Sequence, residues 1–437
     1  MACFEIGSRR RAWAAALAAG LMLAGCVGSG SLLPPRPVGR SAAAAPPPPP
    51  PVEEFASAPP VGTVTALPNA GPLPAGAGPL PAAESGGMAI GNGPVRVALI
   101  LPLTGQGQSA VAAQSMKNAA DLALAEAQGR DLTILVKDDR GTPEGARDAA
   151  SEAVAEGAEL ILGPLFAGSV QAAGQVARQA GRPVVAFSTD TRTAAPGVYL
   201  LSFLVQAEVD RIVAFAAQQG RRSVAALVPE TTYGRVAEEE FQQAAARHGL
   251  RVVALERYPA GQPQGAVQRL GRVIAGPTPQ ADSVFIPENG DGLPAIAQAF
   301  DTVGFDARRV RPLGTGIWNE PRVHALPALQ GGWFAAPDNR GFEAFAARYR
   351  ARFNTDPIRL ATLSYDAVTL AVALNRARGA QRYAESVLTD PAGFAGADGV
   401  FRFRPDGTND RALAVQEIRD GAAVMVSGAP RTLMASN

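Results

Sequence analysis

The feature that most constrains the fold of this chain is a regular alternation of short apolar runs with helix-forming stretches, which begins at Val95. Residues 95–102 are almost continuously apolar, as expected of a parallel strand that is buried on both faces. A Gly-rich loop follows, and residues 116–124 then carry apolar side chains at the i, i+3, i+4 spacing of a helix. The same unit recurs along the chain, so the sequence predicts an α/β fold with doubly wound parallel sheets.

The units form two consecutive series of similar size, one on each side of Asp210. In the first series, strands are predicted at residues 95–102, 132–136, 160–162 and 183–187, and helices at 143–156 and 169–179. In the second, strands are predicted at residues 223–228, 250–255, 283–286 and 310–313, and helices at 236–247, 266–274 and 293–303. Two such series predict two Rossmann-like lobes around a cleft, with ligands bound at the carboxyl ends of the strands.

The N-terminal segment has the pattern of a bacterial export signal. Three arginines at 9–11 precede an apolar run over residues 12–24, which is short for a membrane span. The run closes with Leu-Ala-Gly before Cys26, which resembles the lipobox of lipoproteins. We predict a signal peptide over residues 1–25 and lipidation of Cys26; the alternatives are an ordinary signal peptide with an incidental cysteine, or an uncleaved anchor. By analogy with lipoproteins, Val27 rather than aspartate implies the periplasmic face of the outer membrane.

A linker is predicted between the lipidated cysteine and the folded domain, over residues 26–94. From residue 33 onward it is rich in Pro, Ala and Gly, with six consecutive prolines at 46–51. Such a composition buries too little apolar surface to offset the entropy of ordering, so we predict a disordered tether. It serves as a spacer from the membrane, or gives the domain the reach to find a partner on the opposing membrane.

Most sequence signatures of enzymes are missing from this chain. The 40 basic and 39 acidic residues give a formal net charge of +1, which offers no electrostatic reason to expect nucleic acid as a partner. The cysteines, Cys3 and Cys26, leave the domain without a disulfide or a cysteine-ligated metal. With lysines only at Lys117 and Lys137 there is no phosphate-binding loop, and Gly-x-Ser-x-Gly is also missing. We therefore predict a binding protein that is not an enzyme and uses no metal or cofactor.

The isolated titratable residues favour structural roles. His248 and His324 each stand alone. His248 ends a predicted helix, where the negative end of the helix dipole favours a cation, so capping is a better interpretation than catalysis. Asp138 and Asp139 follow a strand and are more typical of a capping or solvated pair than of an acid–base or cation site.

Polar side chains in the loops after the predicted strands are the candidates for ligand binding. The candidate residues are Thr104, Gln106, Ser169, Ser188, Thr189, Asp190, Tyr233, Glu288, Asn289 and Trp318. The alternative for about half of them is capping of the helix that follows.

Several segments resemble the leucine/isoleucine/valine-binding branch of the type I periplasmic binding proteins. They are Leu-Pro-Leu-Thr-Gly at 101–105, Lys-Asp-Asp-Arg-Gly-Thr-Pro-Glu at 137–144, Gly-Pro-Leu at 163–165, Pro-Val-Val-Ala-Phe-Ser at 183–188, Thr-Tyr-Gly at 232–234 and Ser-Tyr-Asp-Ala at 364–367. The resemblance implies the type I periplasmic-binding fold over residues 95–437, with three crossings between the lobes. It implies a first lobe of about 95–205 and 338–392 and a second of about 206–337 and 393–437. Residues 364–377 would return to the first lobe, and Phe401-Arg402-Phe403 would lie near the second.

The amino-acid site of that branch carries over only in part. The positions that hold the ligand carboxylate match Ala167 and Asp190, with Ser169 and Ser188 nearby. An aspartate there repels a carboxylate unless it is protonated or paired. Tyr233 matches the tyrosine of the second lobe, but residues 260–264 lack the acid, which argues against a standard amino acid unless Asp190 or Glu288 takes over the ammonium group.

A closer resemblance is to lipoproteins that activate penicillin-binding proteins. The chain is similar to them at 186–190, 313–318, 331–337 and 394–403, and in its lipobox and Pro-rich tether. The first hypothesis is therefore a non-catalytic envelope lipoprotein that regulates peptidoglycan synthesis through contact with a penicillin-binding protein. The alternative is the solute-binding protein of an ABC importer, which takes an amino acid or similar small polar ligand to a permease. A third, weaker hypothesis is a ligand sensor.

Overall fold

The structure is a computed structural model of the chain, and it describes residues 88–128 and 130–433. All of them belong to one compact unit, Phe55–Asn437. The predicted signal peptide, the lipidation site at Cys26 and the linker up to residue 87 lie outside the described residues. Among the described helices, none has the length and hydropathy that crossing a membrane requires.

Strands and helices alternate through most of the described chain. The strands are β1 (Met88–Gly91), β2 (Val95–Leu101), β3 (Leu132–Asp138), β4 (Leu160–Leu162), β5 (Val184–Ala186), β6 (Val198–Leu200), β7 (Ser223–Pro229), β8 (Arg251–Tyr258), β9 (Ser283–Phe285), β10 (Arg311–Gly314), β11 (Trp333–Ala336), β12 (Phe394–Gly396), β13 (Gly399–Phe403), β14 (Asn409–Arg411), β15 (Ala414–Arg419) and β16 (Ala422–Ser427). The α-helices are α1 (Gln108–Glu126), α2 (Pro143–Ala155), α3 (Ala167–Gln179), α4 (Val205–Gln218), α5 (Thr232–Arg247), α6 (Gln264–Ile274), α7 (Leu293–Val303), α8 (Pro321–His324), α9 (Asn339–Phe353), α10 (Ala361–Arg378) and α11 (Glu385–Leu388). Short 3-10 helices cover Thr191–Thr193, Gly316–Trp318, Pro327–Leu329 and Gly379–Gln381.

The first lobe is built on a sheet with the order β1-β3-β2-β4-β5-β6. Its strands are parallel except β1, which pairs antiparallel with β3. Alternate residues of β2 point to opposite faces, as the period of a strand requires. Val97 and Leu99 lie in one core with residues of α1 and α10, whereas Ala98 and Ile100 lie in another with residues of α2 and α3. The lobe is therefore doubly wound, as predicted.

The second lobe repeats this plan on a sheet with the order β16-β15-β11-β10-β9-β7-β8. The five strands from β11 to β8 are parallel, and β15 and β16 extend the sheet antiparallel. Ala225 and Leu227 of β7 pack in a core with α6 and α7, while Val224 and Ala226 pack in a core with α4 and α5. Each of the two sheets thus has a hydrophobic core on both of its faces, and a smaller cluster joins α1, α9 and α10 in the first lobe.

The chain passes between the lobes three times within the described residues: from β6 to α4, from β11 to α9 and from β14 to β15. The first two crossings leave a sheet at the carboxyl end of a strand, so the carboxyl ends of both sheets lie toward the boundary between the lobes. Asn409 joins the first and third crossings, because its Nδ2 donates to the carbonyls of Leu200 (2.8 Å) and Ser202 (3.0 Å). This arrangement confirms the type I periplasmic-binding fold.

The predicted strands and helices are present, with shifts at some of their ends. Residues 293–303 form a helix with the predicted bounds, but α5 begins four residues earlier than predicted, at Thr232. Thr231 caps this helix, since its hydroxyl accepts a hydrogen bond from the Gly234 N–H at 3.0 Å. Tyr233 therefore lies in the first turn of α5 and not in the loop before it.

The linker prediction is wrong at its C-terminal end. Met88–Gly91 form β1, an edge strand whose backbone pairs with β3 and whose Ile90 packs against the first core. The local composition gives no sign of this strand, because its stability comes from a backbone partner more than 40 residues away.

The expected position of the Phe401-Arg402-Phe403 segment is also wrong. These residues form β13, the middle strand of a three-stranded sheet with β12 and β14. Phe401 and Phe403 are buried in the core of the first lobe, where Phe403 packs against Tyr199 with 5.5 Å between ring centroids. The resemblance assigns residues 393–437 to the second lobe. Among the strands of this segment, β15 and β16 join the second sheet, whereas β12, β13 and β14 form the separate three-stranded sheet.

Candidate ligand-binding site

Asp138 holds together the first two loops of the first lobe, which follow β2 and β3. The Thr104 hydroxyl donates to Asp138 Oδ2 at 2.5 Å, and the Arg140 N–H donates to Asp138 Oδ1 at 2.9 Å. Thr104 is exposed but held by this hydrogen bond, and Gln106 is exposed. Asp138 thus ties the loop after β2 to the loop after β3, whereas the helix cap of α2 is Thr142.

Asp139 is fully buried beneath the start of α2. Its Oδ1 accepts the Gly141 N–H at 2.9 Å, and burial raises the pKa of its carboxyl to about 6. The Ser169 hydroxyl donates to the Thr142 carbonyl at 3.2 Å and lies close enough to Asp139 to oppose this rise in part. Ser169 is only 1% exposed, so its hydroxyl supports the loop from within and is not presented to a ligand.

The N-terminus of α3 has unengaged donors. Its N-cap residue is Phe166, which offers no side-chain acceptor, and the helix starts directly after the loop that follows β4. Within the described residues, the N–H groups of Ala167, Gly168 and Ser169 donate no hydrogen bond. A helix N-terminus with free N–H groups attracts an anion, because the aligned peptide dipoles place partial positive charge there.

Asp190 is ionised and already paired. The Arg192 guanidinium binds it at 2.7 Å and lowers the pKa of its carboxyl below the ordinary value. Asp190 also caps the 3-10 helix that follows, since its Oδ1 accepts the Arg192 N–H at 3.0 Å. Ser188 is buried and accepts the Asp190 N–H at 3.1 Å, which leaves Thr189 as the exposed hydroxyl of this loop. Pairing with Arg192 offsets the repulsion that Asp190 would exert on a carboxylate.

In the second lobe, the half-buried Tyr233 lies beside two buried polar residues, Glu208 and Thr315. The hydroxyls of Tyr233 and Thr315 are 2.7 Å apart, and Glu208 Oε2 accepts the Gly316 N–H at 2.9 Å. Burial raises the pKa of Glu208 to about 8, although the Gly316 N–H and Arg359 oppose the rise. Burial and the nearby Glu208 likewise raise the pKa of Tyr233 well above its ordinary value. At neutral pH this part of the site is therefore uncharged.

Glu208 was not among the predicted site residues, although the sequence carries a signal for it. It lies on the apolar stripe of α4 with Val205, Val209 and Ile212, at i, i+3, i+4, i+7 spacing, and all four are buried. An acid within an apolar stripe must be protonated or paired, because burying an isolated charge is costly. Such an acid is a candidate functional residue.

The remaining second-lobe candidates have structural partners. Glu288 accepts the Tyr258 hydroxyl at 2.6 Å and the Asn289 N–H at 2.8 Å. Asn289 Oδ1 accepts the N–H groups of Asp291 and Gly292, so it closes the turn that leads into α7. Trp318 is fully buried in a core of the second lobe, which corrects its assignment to the ligand cleft.

The histidines agree with the sequence interpretation. His248 is the C-cap residue of α5, and its Nε2 lies 2.9 Å from Asp210 Oδ1. His324 is buried, and burial lowers the pKa of its imidazole. Within residues 88–128 and 130–433, no group of three or more His, Cys, Asp or Glu side chains is arranged to hold a metal ion.

Comparison with known proteins identifies the family. The model of the periplasmic binding protein family matches residues 94–423, which is most of the chain. The chain belongs to the periplasmic binding protein family. This membership makes it a binding protein of the cell envelope, consistent with the absence of enzyme motifs in its sequence. No protein of curated function matches this periplasmic binding protein in sequence.

Solved structures share the fold of this periplasmic binding protein. A protein of Rhodospirillum rubrum assigned to a branched-chain amino acid ABC transporter is 21% identical with a TM-score of 0.67, over 76% of this chain and 99% of that one. A solute-binding protein of an ABC transporter from Rhodopseudomonas palustris, in complex with 3,4-dihydroxybenzoic acid, is 21% identical with a TM-score of 0.56, over 78% and 98%. LivJ from Streptococcus pneumoniae, in complex with isoleucine, is 18% identical with a TM-score of 0.54, over 77% and 99%. At these identities the likeness establishes the fold.

Proposed function

We propose that this periplasmic binding protein is the solute-binding component of an ABC importer, with a small organic carboxylate as its ligand. The observation that carries the proposal is the N-terminus of α3, where three N–H groups lack hydrogen-bond partners at the carboxyl end of β4. Carboxylates bind well at such a terminus because the N–H groups and the helix dipole both favour an anion. Isoleucine and 3,4-dihydroxybenzoate, which are bound by two proteins of the same fold, share this group.

The surroundings of α3 support the same ligand chemistry. Thr189 follows β5, the neighbour of β4 in the sheet, and its exposed hydroxyl is a further donor for a carboxylate. Asp190, the acid in this loop, is neutralised by Arg192. In the second lobe, Tyr233 and the protonated Glu208 form an uncharged polar wall. An uncharged wall is compatible with the aromatic or aliphatic part of a ligand. The carboxylate, bound at the N-terminus of α3, would orient the ligand in the site.

We expect micromolar binding of a carboxylate by the purified chain, weakened about 10-fold by Thr189→Val. The loss follows because a hydrogen bond to a charged group contributes about 1.5–3 kcal/mol. Isothermal titration calorimetry against leucine, isoleucine, benzoate and 3,4-dihydroxybenzoate measures both quantities and separates amino acids from aromatic acids. The matched control is Thr278→Val, an exposed threonine in a loop of the second lobe, which should bind like the parent chain.

Two outcomes would count against the importer proposal: no binding across the panel, or equal binding by the Thr189→Val and parent chains. The first hypothesis from the sequence, regulation of peptidoglycan synthesis, has no support among the matched family and structures, which are solute-binding proteins. Capture of a penicillin-binding protein by a chain that binds no solute would restore it. Capture of an ABC permease would support the importer.

We also propose that the protein is anchored through a lipid on Cys26. We expect Cys26→Ser to move it from the membrane fraction to the soluble fraction, because more than one acyl chain is needed for stable anchoring and the thiol is the attachment point. Fractionation followed by immunoblotting measures the shift, and density-gradient separation tests the outer-membrane address. Cys3→Ser is the matched control and should remain in the membrane; release of both variants, or of neither, contradicts the proposal.

A further inference from the structure

The second sheet ends in a strand whose side chains are both apolar and exposed. β16 is an edge strand, because β15 is the one strand with which it pairs in the described part of the chain. Val424, Met425 and Val426 are 38%, 43% and 37% exposed. They are three of the six large hydrophobic side chains that are exposed among the described residues. Single exposed hydrophobic residues are common on proteins, but a cluster of them marks an interaction surface.

The outer edge of β16 also carries free backbone groups. Residues 420 and 421 form the turn between β15 and β16, and their φ angles of 52° and 76° are typical of a type I′ hairpin. In such a hairpin Arg419 and Ala422, which flank the turn, bond to each other, and bonded pairs then alternate with non-bonded pairs along the ladder. The N–H and C=O groups of Ala423 and Met425 therefore point away from β15. Neither residue makes a backbone hydrogen bond outside the hairpin to any described residue.

The other edges of the two large sheets are protected against pairing with another chain. β8, the opposite edge of the second sheet, carries two arginines and a glutamate. In the first sheet, β1 is four residues long, and the Leu200 N–H of β6 donates to the Gly407 carbonyl at 2.8 Å. Charges, short strands and covering loops are devices that keep edge strands from pairing. β16 contains no charged residue or proline, and its pairing with β15 is regular up to a bulge at Val426.

The sequence of β16 is complementary to itself in an antiparallel pair. When Ala423 lies opposite Met425 of a second copy, the outward-facing backbone groups of both residues are matched, and each such pair exchanges two N–H···O bonds. The twofold axis then passes beside Val424, which faces Val424 of the second copy in a non-bonded pair, where side chains are closest. Apolar side chains meet apolar side chains at all of these positions, and no like charges are brought together.

We propose that two copies of this protein associate through β16, so that their second-lobe sheets join edge to edge about a twofold axis. A second copy is the partner that fits, because this one register matches the free backbone groups and the apolar side chains at the same time. The same patch is used on both copies, so the association closes as a dimer and does not continue into a fibre. The interface contains no residue of the candidate ligand-binding site, and the inference therefore does not rest on the proposed function.

The test is sedimentation velocity of the full chain from about 5 µM to about 500 µM. We expect a shift from monomer to dimer with a Kd on the order of 100 µM, because a short ladder gives an interface at the small, weak end of the range. Amide hydrogen exchange at Ala423 and Met425 should slow as the dimer forms, since their N–H groups then become bonded. A chain that stays monomeric at the highest concentration, or a dimer in which these two amides exchange as fast as in the monomer, overturns the inference.

Val424→Lys should weaken the dimer most. It places two ammonium groups against each other across the axis, and like charges directly opposite in a ladder are destabilising, so we expect Kd to rise about 10-fold or more. Lysine fits the folded monomer because the position is exposed, which circular dichroism checks. Val252→Lys is the matched control, since Val252 is also 38% exposed and lies on β8 at the other edge of the same sheet. It should dimerise like the parent chain; equal dimerisation by Val424→Lys would contradict the proposal.

A mixture of two charged variants tests the register. Val424→Glu alone should also dimerise weakly, for the same reason as Val424→Lys. Mixing the two should restore a dimer with one copy of each, because the opposite charges then attract across the axis. In any other register residue 424 would not face itself, and the mixture would associate no better than the separate variants. That result would overturn the pairing of β16 with itself.

Discussion

Replacing Gly314 with alanine is expected to lower the free energy of unfolding by about 3 kcal/mol, the upper end of the typical cost of overpacking a core. A Cβ at this position would lie 2.1 Å from the Trp318 ring, which is fully buried in the second lobe. Neither group can yield easily, because Gly314 is held in β10 and the indole is enclosed on all sides. Chemical denaturation followed by circular dichroism measures the loss.

A double-mutant cycle tests whether the indole is the cause. Combining Gly314→Ala with Trp318→Leu should cost little more than Trp318→Leu alone, since residues in contact are not additive. Gly265→Ala is the control: this glycine lies in α6, and its nearest neighbour is the flexible end of Arg269 at 3.6 Å. That change should stabilise the protein by up to about 1 kcal/mol. Fully additive losses in the cycle would contradict our account of the packing.

The stability of the Glu208→Gln variant should rise relative to the parent chain as the pH increases. Glu208 has an ordinary pKa of 4.5 when unfolded and about 8 when folded, so the folded state holds its proton more tightly. Its favourable contribution is fully present below pH 4.5 and is lost as the pH rises toward 8. Glutamine does not titrate, and the difference between the two proteins should reach the order of 4 kcal/mol.

Urea denaturation of both proteins between pH 4.5 and 8 provides the measurement. Glu239→Gln is the matched control, because Glu239 is exposed on α5 and should give a difference that hardly changes with pH. A Glu208→Gln difference that stays constant over this range would mean that the folded protein carries Glu208 as an ordinary ionised acid. The Gly316 N–H and the charge of Arg359 would then offset the whole effect of burial on the pKa of Glu208.

The fold follows from the sequence to the extent that its signals are local. The apolar runs of β2 and β7 predict buried parallel strands because both faces of each strand are covered by helices. Local sequence patterns do not indicate which sheet a strand joins. For this reason the sequence places Phe401 and Phe403 in the wrong lobe. The edge strand β1 was missed for the same reason, since its pairing with β3 is non-local.

The candidate site was predictable in location but not in detail. Loops at the carboxyl ends of the strands are expected; Asp190 lies in such a loop, whereas Tyr233 lies in the first turn of the helix that follows one. Their partners were not foreseen for two different reasons. Arg192 is two residues from Asp190, yet only the turn brings the guanidinium back to the carboxylate. Gly316 is 108 residues from Glu208, and sequence spacing carries no information about that contact.

The three crossings between the lobes also determine how the protein can move. Three covalent connections join the lobes and Asn409 ties two of them together, so the lobes should bend about these connections more easily than they twist. We therefore expect the lobes to open and close by a hinge motion about one axis. The donors at α3 and the uncharged wall around Tyr233 belong to different lobes, so this bending should change the distance between them.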